Sequence, residues 1–385
     1  MAIGAELELI PFDAETRRPV PIVGAAEYET GSLDVVRRVG RQAGWKEISA
    51  GDDPPSWSLP DGGRVSFEPG GQIELSSAPS DSASALIRDV QCTAQLLTGA
   101  FSSAGVDLEV VGVDPYNDIV DVSLQLHRPR YERMTRYFDS IGPSGVRMMR
   151  QTASLQINVE VGPAPFERWA LLNALAPYIT AIFANSPNYG GEVTGHPSYR
   201  AHLWRTLDVT RTGLPVNTGD PVGRYLDFAL GAGAMMRDET GTYDSFETWT
   251  RTGNPSLDDW NLHLSTLFPE VRPRHYFEVR SADAIAPESL AAPIVLVAGL
   301  AYDDRTAGSA SEILARAEAP SLEIAGREGL SNPWIRETSI RLTDLALTGC
   351  ESLGNQYISA GDIESAARFF DHYTRQGRSP GDDWS

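Results

Sequence analysis

Residues 66–80 read SFEPGGQIELSSAPS, and the alternation of residue types in this stretch decides the fold. Side chains of a strand point alternately to its two faces, so Phe67 and Ile73 share one face of a hairpin while Glu68 and Glu74 share the other. The Pro-Gly-Gly triplet between them has the composition of a turn. A single hairpin of this kind is compatible with one face in the core and the other in water, so it defines no function alone.

The same polar alternation recurs in GAELELI at residues 4–10, SLQINVE at residues 154–160 and YFEVRSAD at residues 276–283. These segments place further polar side chains on one face of each strand: Glu6, Glu8, Gln156, Asn158, Glu160, Glu278 and Arg280. Carboxylates on neighbouring strands repel one another. A positive group is therefore expected among them.

The chemistry of these donors indicates which positive group it is. Carboxylate and amide oxygens suit Mg²⁺, which prefers octahedral oxygen ligation and shares its ligand shell with substrate phosphates. An ATP site fits that description. Arginines near the same segments would bind phosphate and carboxylate oxygens through their planar guanidinium groups: Arg150, Arg200, Arg211 and Arg280.

Composition excludes several classes of function. The 385 residues carry a net charge of -20, so the chain lacks the basic field that nucleic-acid binding requires. Its first residues, MAIGAELELI, lack the pattern of a secretion signal, and the apolar run at residues 290–302 is too short to cross a bilayer. We therefore expect a cytoplasmic protein with no nucleic-acid or membrane partner.

The scarcity of lysine and cysteine limits which reaction mechanisms the chain can use. Lys46 is the only lysine and no GxxxxGK[ST] sequence occurs, so any phosphate chemistry depends on metal ions and arginines for charge neutralisation. The two cysteines, Cys92 and Cys350, are too few for a disulfide framework. Cys92 lies in a helical pattern that predicts a small buried side chain, and a bond between the two cysteines stays open.

The order of the predicted elements indicates one catalytic domain over residues 1–385. Residues 1–285 alternate strands and helices, and residues 286–385 read as a helical part packed on them. Helices are predicted within residues 80–105, 166–187, 287–304, 309–319, 337–354 and 362–377, with a kink at Pro177. Gly-rich stretches at residues 51–63 and 213–223 predict loops at the edge of the site and are candidates for a lid, while the tail is either mobile or folded back.

Seven motifs, in order from Gly4 to the C-terminus, resemble those of the plant-type and bacterial glutamate-cysteine ligase family, within the glutamine-synthetase-like superfamily. They read GAELE, EPGGQIELS, RMMRQTASLQINVE, ANSP, SYRAHLWRTLDVTRTG, HLSTLFPEVRPRHYFEVRSAD and RSPGDDW. The chain most resembles the form used in actinobacterial ergothioneine biosynthesis. The resemblance implies an α+β fold in which a curved antiparallel sheet cradles the active site, with helices on its outer face.

The resemblance also implies a reaction, with ATP and Mg²⁺ as cofactors. In such ligases the γ-carboxylate of glutamate attacks the terminal phosphate of ATP. The amine of cysteine then attacks the acyl phosphate, and γ-glutamylcysteine is released. The implied partners are these small molecules.

Carried over by motif, the site residues divide into three groups. Those that resemble metal ligands are Glu6, Glu8, Glu68, Glu74, Glu278 and Gln156, and those that resemble nucleotide contacts are Gln156, Asn158 and Arg280. Those that border the amino-acid substrates are Arg200, Trp204, Met148, Met149, Arg150 and Thr152. Arg280, Asn158 and Arg200 match the catalytic positions, and Arg200 would hold the carboxylate of glutamate.

Three alternatives stay open at this point. The first is a carboxylate-amine ligase that joins glutamate to a different amine. The second is a guanidino phosphotransferase, which transfers phosphate and stops. The third is a binding protein without catalysis, disfavoured because the carboxylates are present on all four strand segments. Neither the oligomeric state nor the number of metal ions can be predicted from the sequence.

Overall fold

The computed structural model describes residues 1–24, 31–51, 53–213, 220–237, 243–317 and 320–384. The strands are β1 (Ile3–Asp13), β2 (Lys46–Ala50), β3 (Asp53–Ser58), β4 (Arg64–Phe67), β5 (Ile73–Ser76), β6 (Val106–Glu109), β7 (Ser154–Glu160), β8 (Asn188–Tyr189), β9 (Glu192–Val193), β10 (Val271–Pro273) and β11 (Tyr276–Asp283). The helices are α1 (Ser32–Ala43), α2 (Ala83–Ser102), α3 (Pro129–Ile141), α4 (Ser144–Gln151), α5 (Pro165–Ile182), α6 (Tyr199–Leu207), α7 (Val209–Thr212), α8 (Pro221–Gly231), α9 (Phe246–Thr252), α10 (Leu257–Leu264), α11 (Ala291–Ala301), α12 (Asp304–Arg316), α13 (Leu322–Glu328), α14 (Pro333–Leu353) and α15 (Ala360–His372).

One antiparallel sheet organises the molecule. Its strands follow the order β10, β11, β7, β1, β5, β4, β3, β2, and β6 pairs with the second half of β1. All described pairs of named strands are antiparallel, and β8 and β9 form a separate small hairpin. The prediction of an α+β fold built on an antiparallel sheet is confirmed.

The period-two pattern explains why β1 lies at the centre of the sheet. Leu7 and Leu9 are fully buried on one face, which packs against helices, while Glu6 and Glu8 lie on the other face. Burial of each leucine contributes about 1.5–3 kcal/mol. Three helices cover the apolar face, since α2 packs on β1, α5 on β11 and α11 on β7. The opposite face is therefore left for polar side chains.

The C-terminal helices pack on one another and, through α11, on the sheet. Every residue of α11 is buried, because this helix packs against α14, α15 and the sheet. One hydrophobic cluster joins Leu9 of β1, Leu296 of α11 and Phe370 of α15, which favours the predicted single domain. Among the helices that the structure describes, none has the length and apolar character needed to cross a membrane.

Two of the predicted helices, α2 and α5, are present in the structure. Helix α2 begins after Ser82, whose side chain accepts a hydrogen bond from the backbone N–H of Ala85 and so satisfies one free donor of the first turn. Helix α5 continues past Pro177 to Ile182, and the predicted kink at this proline stays a prediction.

Two other predictions are wrong. Residues 53–58 form β3 and not a loop at the edge of the site, because they pair with β2 and β4 at the far side of the sheet. Cys92 is exposed, since it lies on the outer face of α2, whereas Cys350 is buried, and both thiols are free. Most of the second predicted lid, residues 214–219, lies outside the described residues.

The tail folds back on the segment that follows α5. The backbone N–H of Gly381 donates to the carbonyl oxygen of Ala184 at 2.9 Å, and the indole N–H of Trp384 donates to Oδ1 of Asn185 at 3.0 Å. Of the two possibilities for this tail, the structure therefore selects the folded one.

Candidate active site

The hairpin of β4 and β5 is closed tightly by its glycines. The N–H of Glu68 donates to the carbonyl of Gln72 at 2.8 Å, and Gly71 has a φ of 96°, which favours glycine. A Cβ on Gly70 would lie 1.9 Å from the carbonyl oxygen of Arg150. The turn thus packs directly against the last turn of α4. Gln72 reinforces this contact by donating to the carbonyl of Thr152 at 2.8 Å.

Strand register brings the polar side chains together. Glu8 pairs with Glu74, Glu6 with Gln156, and Glu278 with Asn158. Side chains of paired residues lie on the same face of a sheet. Four neighbouring strands, together with the turn after β4, therefore present one polar surface.

This surface forms the floor of a cavity of about 280 Å³, called the central cavity below. Its acidic cluster consists of Glu6, Glu8, Glu68, Glu74 and Glu278. The cavity is also lined by Gln156 and Ser154, by the cationic side chains Arg130, Arg200, Arg272, Arg274 and Arg280, and by Met134, Met148, Met149, Tyr131, Trp204, Phe268, Tyr276 and Thr152.

The acidic cluster is strained electrostatically. Burial, followed by repulsion from Glu74 and Glu278, raises the pKa of Glu6 to about 7. Burial raises the pKa of Glu8, and that of Glu68 is raised well above its ordinary value by burial and by Glu74. The pKa of Glu74 is raised by burial and by Glu8. Cations bound among these groups would relieve both effects.

Glu278 differs because arginines surround it. Although burial acts in the opposite direction, the charges of Arg280, Arg272 and Arg274 lower the pKa of Glu278. Nη1 of Arg280 lies 2.7 Å from its carboxylate, and Arg272 and Arg274 lie 2.6 and 3.4 Å away. To bind a metal ion, Glu278 would have to share its oxygens with these guanidinium groups.

The donors of the floor fit a magnesium ion that also binds phosphate. Within the described ranges, no three side chains of His, Cys, Asp or Glu converge closely enough to hold an ion by themselves. Mg²⁺ takes one or two carboxylates and completes its shell with phosphate oxygens and water, so three are not required. Asn158 does not line the cavity, but its Oδ1 is buried and has no hydrogen-bond partner in the described part of the chain, while its amide donates to Glu6 at 3.0 Å.

Arg280 lies on β11 and hydrogen-bonds to two other side chains of the cavity floor. Its Nη1 donates to Oε1 of Gln156 at 2.8 Å as well as to Glu278. Its Nε is buried and has no hydrogen-bond partner in the described part of the chain, so this donor is left unsatisfied by the protein.

Helix α6 supplies Arg200, which the sequence analysis predicts to bind a substrate carboxylate. Ser198 caps this helix, and Arg200 and Trp204 follow on one face, as the sequence predicts. The guanidinium carbon of Arg200 lies 4.8 Å from the centre of the Trp204 ring, whose N–H donates to the carbonyl of Phe268 at 2.9 Å. Both side chains line the central cavity.

The remaining predicted residues divide into two groups. Met148, Met149 and Thr152 line the cavity, whereas Arg150 does not, because its side chain reaches the carbonyl of Val122 at 3.4 Å.

Arg211, one of the arginines suggested as phosphate ligands, also lies away from the cavity. It is fully buried, lies 2.9 Å from the carboxylate of Asp208 and bonds to Thr266. Its interpretation as a phosphate ligand is wrong, because the surrounding core already pairs its charge.

The structure adds residues that the sequence reasoning missed. Arg272 pairs with Glu278 across the hairpin of β10 and β11, so strand alternation could have identified it. Arg130, Tyr131 and Met134 come from α3 and reach the cavity only through the packing of that helix. No local pattern predicts their position.

We expect Glu6→Gln to flatten the pH dependence of stability in metal-free protein. The pKa of Glu6 is raised from 4.5 to about 7 in the folded state, so the folded protein binds more protons than the unfolded chain between these values. The contribution of this carboxyl to stability is therefore present at low pH and is lost as the pH rises toward 7. Urea denaturation in the presence of a chelator measures the free energy of unfolding. Parallel curves for the two proteins across this window would contradict the prediction.

A cavity lined by carboxylates and several arginines has the composition of a site that brings anionic reactants together. A model of glutamate-cysteine ligase family 2 matches residues 2–381. The chain belongs to this family of ligases.

Individual relatives agree with the family assignment. Glutamate–cysteine ligase EgtA of Mycolicibacterium smegmatis is 33% identical over 386 residues, which covers 95% of this chain and 87% of the relative. Chloroplastic glutamate–cysteine ligase A of Oryza sativa subsp. japonica is 30% identical over 380 residues, or 91% of this chain and 75% of the relative.

A solved structure shows the same fold. Glutamate–cysteine ligase from Francisella tularensis, in complex with AMP, matches with a TM-score of 0.56 and 12% identity, over 99% of this chain and 83% of that chain. At this level of identity the likeness concerns the fold alone.

Proposed function

We propose that the protein joins L-glutamate to L-cysteine at the expense of ATP, through a γ-glutamyl phosphate intermediate, and releases γ-glutamylcysteine. The observation that carries this proposal is the meeting of the acidic cluster with Arg200 and Arg280 in one cavity. The names of the relatives, which are glutamate–cysteine ligases, support the choice of the two amino acids.

The acidic cluster and Gln156 would hold Mg²⁺, which supplies charge compensation between a polyphosphate and a carboxylate. Arg280 would bind the transferring phosphate through its unpartnered Nε, with Asn158 beside it on β7. Both groups are oriented before the reactants arrive, since Arg280 is held by Gln156 and Asn158 by Glu6. Such preorganised donors stabilise developing charge.

Arg200 would bind a carboxylate of glutamate. Its guanidinium lies against Trp204 and is only 4% exposed. A buried guanidinium pairs strongly with a carboxylate because little water competes for its donors. The apolar side chains of Met134, Met149 and Phe268 line the same cavity and would limit the access of water to an acyl phosphate.

The cavity also supports direct attack by the substrate. Its described lining contains no cysteine, lysine or histidine. Glu8 and Glu74 accept hydrogen bonds from serine side chains, and Glu278 is paired with arginines. The reaction needs no covalent protein intermediate if glutamate itself attacks the phosphate.

An amine screen tests this function. Purified protein is incubated with glutamate, ATP and Mg²⁺ and with one amine at a time, and ADP and product mass are measured. We expect cysteine to give the fastest turnover and a product of the mass of γ-glutamylcysteine. Faster turnover with another amine would show that this amine, and not cysteine, is the acceptor. The protein would still be a ligase.

Trapping with hydroxylamine distinguishes a ligase from a phosphotransferase. Hydroxylamine traps an acyl phosphate as a hydroxamate, so a ligase yields γ-glutamyl hydroxamate without cysteine. A guanidino phosphotransferase would instead form ADP only with a guanidino substrate. No release of ADP with any tested combination would favour a binding protein.

A further inference from the structure

Asp283, the last residue of β11, is a buried carboxylate behind the wall of the central cavity. It is 1% exposed and does not line the cavity. Its Oδ2 accepts the backbone N–H of Asn185 at 2.8 Å and the hydroxyl of Ser186 at 2.7 Å. Its Oδ1 accepts the hydroxyl of Ser198 at 3.0 Å and lies 3.7 Å from Nη1 of Arg200. All these partners are protein groups, so Asp283 is not itself available to a substrate.

Arg200 is the only charged group among these partners, and it does line the cavity. Its Nη2 donates to the carbonyl oxygen of Arg280 at 2.8 Å, and its guanidinium carbon lies over the ring of Trp204. The Nε is buried without a hydrogen-bond partner in the described part of the chain. A carbonyl, an indole face and Asp283 therefore hold the guanidinium from different sides.

Asp283 also fixes the helix that carries this arginine. Ser198, which donates to Asp283, is the N-cap of α6 and accepts the N–H of Ala201 at 3.1 Å. Ser186 accepts the N–H of Arg200 at 3.1 Å while donating to Asp283. One carboxylate thus ties β11 to the first turn of α6.

Gly112 packs so closely on the carboxylate of Asp283 that no side chain fits between them. A Cβ on Gly112 would lie 2.5 Å from Cγ of Asp283. The backbone of Gly112 in turn donates to the carbonyl of Asn185 at 2.8 Å, which holds the wall in place. The position of Asp283 is therefore determined by packing as well as by hydrogen bonds.

We propose that Asp283 is a positioning residue, which presents the guanidinium of Arg200 to the carboxylate of the amino-acid substrate. The inference rests on the proposed function for the identity of that substrate. Without the charge of Asp283, the buried guanidinium keeps only its carbonyl and indole contacts and the charge of Glu8, so we expect it to lose its fixed orientation. A misplaced binding group weakens the binding of substrate.

Asp283→Asn tests the proposal, because asparagine has nearly the same shape without the charge. The matched control is Glu270→Gln, since Glu270 is another buried carboxylate that pairs with an arginine of α6. It lies 3.0 Å from Arg205 and does not line the cavity. We expect Asp283→Asn to raise the KM for glutamate about tenfold or more, with kcat and the KM for ATP changed by less than about threefold. The control should leave the KM for glutamate unchanged.

A second readout does not depend on turnover. Phenylglyoxal modifies accessible guanidinium groups, and mass spectrometry of the peptide that contains Arg200 gives its rate of modification. We expect slow modification in wild type, faster modification in Asp283→Asn, and the wild-type rate in Glu270→Gln. If Asp283→Asn does not fold, Ser186→Ala and Ser198→Ala each remove one hydrogen bond to Asp283 and should show the same changes at smaller size.

The two readouts distinguish failure of this inference from failure of the proposed function. A wild-type protein that does not use glutamate would reject the function, and the labelling of Arg200 would still decide the role of Asp283. An unchanged labelling rate in Asp283→Asn would overturn the inference. So would equal effects in Glu270→Gln, because both variants would then act by loosening the fold.

Discussion

Replacing Arg280 with alanine is expected to lower kcat for glutamate-dependent ADP formation about 10³-fold, while the protein stays folded. Arg280 lines the central cavity and donates to both Glu278 and Gln156, and its buried Nε has no hydrogen-bond partner among the described residues. Alanine removes the planar charge at the place where the proposed reaction transfers phosphate. The fold should survive because Glu278 retains its ion pairs with Arg272 and Arg274.

Single-turnover measurement of ADP, with circular dichroism to verify folding, checks this prediction. The matched control is Arg205→Ala, which removes a largely buried arginine paired with Glu270 but not exposed to the cavity. We expect the control to lower the Tm and to leave kcat within about threefold of wild type. Turnover of Arg280→Ala at the wild-type rate would exclude this arginine from the mechanism.

Glu74→Gln should abolish turnover and yet stabilise the metal-free protein. The pKa of Glu74 is raised by burial and by the charge of Glu8, so the ionised carboxylate is unfavourable when no cation is present. Glutamine keeps an oxygen that can accept hydrogen bonds from Ser66 and Ser76. We expect a gain of about 1 kcal/mol in the free energy of unfolding without metal.

With added Mg²⁺, the wild-type protein should become more stable than Glu74→Gln. A ligand that binds the folded state alone stabilises it in proportion to the logarithm of its concentration over Kd, and the wild-type site binds Mg²⁺ more tightly. Thermal denaturation with and without Mg²⁺ and ATP measures both effects.

Glu160→Gln is the matched control for Glu74→Gln, because Glu160 lies on β7 but outside the cavity and accepts the N–H of Ala2 at 3.0 Å. We expect this control to turn over normally and to respond to Mg²⁺ as wild type does. A Glu74→Gln protein with full activity, or one destabilised without metal, would show that Glu74 has a structural role.

The polar alternation on four strand segments was sufficient to predict the sheet and much of the candidate site. Side chains on a strand alternate with a fixed period, so Glu6 and Glu8 had to share one face of β1 once that segment became a strand. The same reasoning applies to α6, where spacing of one turn placed Arg200 and Trp204 together. The apolar helices of the C-terminal part follow from their own periodicity in the same way.

The positions of arginine side chains were harder to predict from the sequence than those of the carboxylates. Four arginines lie near the predicted motifs, yet only two of them, Arg200 and Arg280, line the central cavity. A long side chain can reach in several directions, and packing decides among them. Arg211 pairs with Asp208 in the core, and Arg150 turns toward a loop carbonyl.

The sequence by itself determined which residues face one side of each strand, because that follows from local backbone geometry. Only the tertiary structure decided which strands are neighbours, that α3 brings Arg130 and Tyr131 to the cavity, and that Asp283 lies behind Arg200. These contacts join segments far apart in the chain. They depend on how whole elements pack, and no short stretch of sequence contains that information.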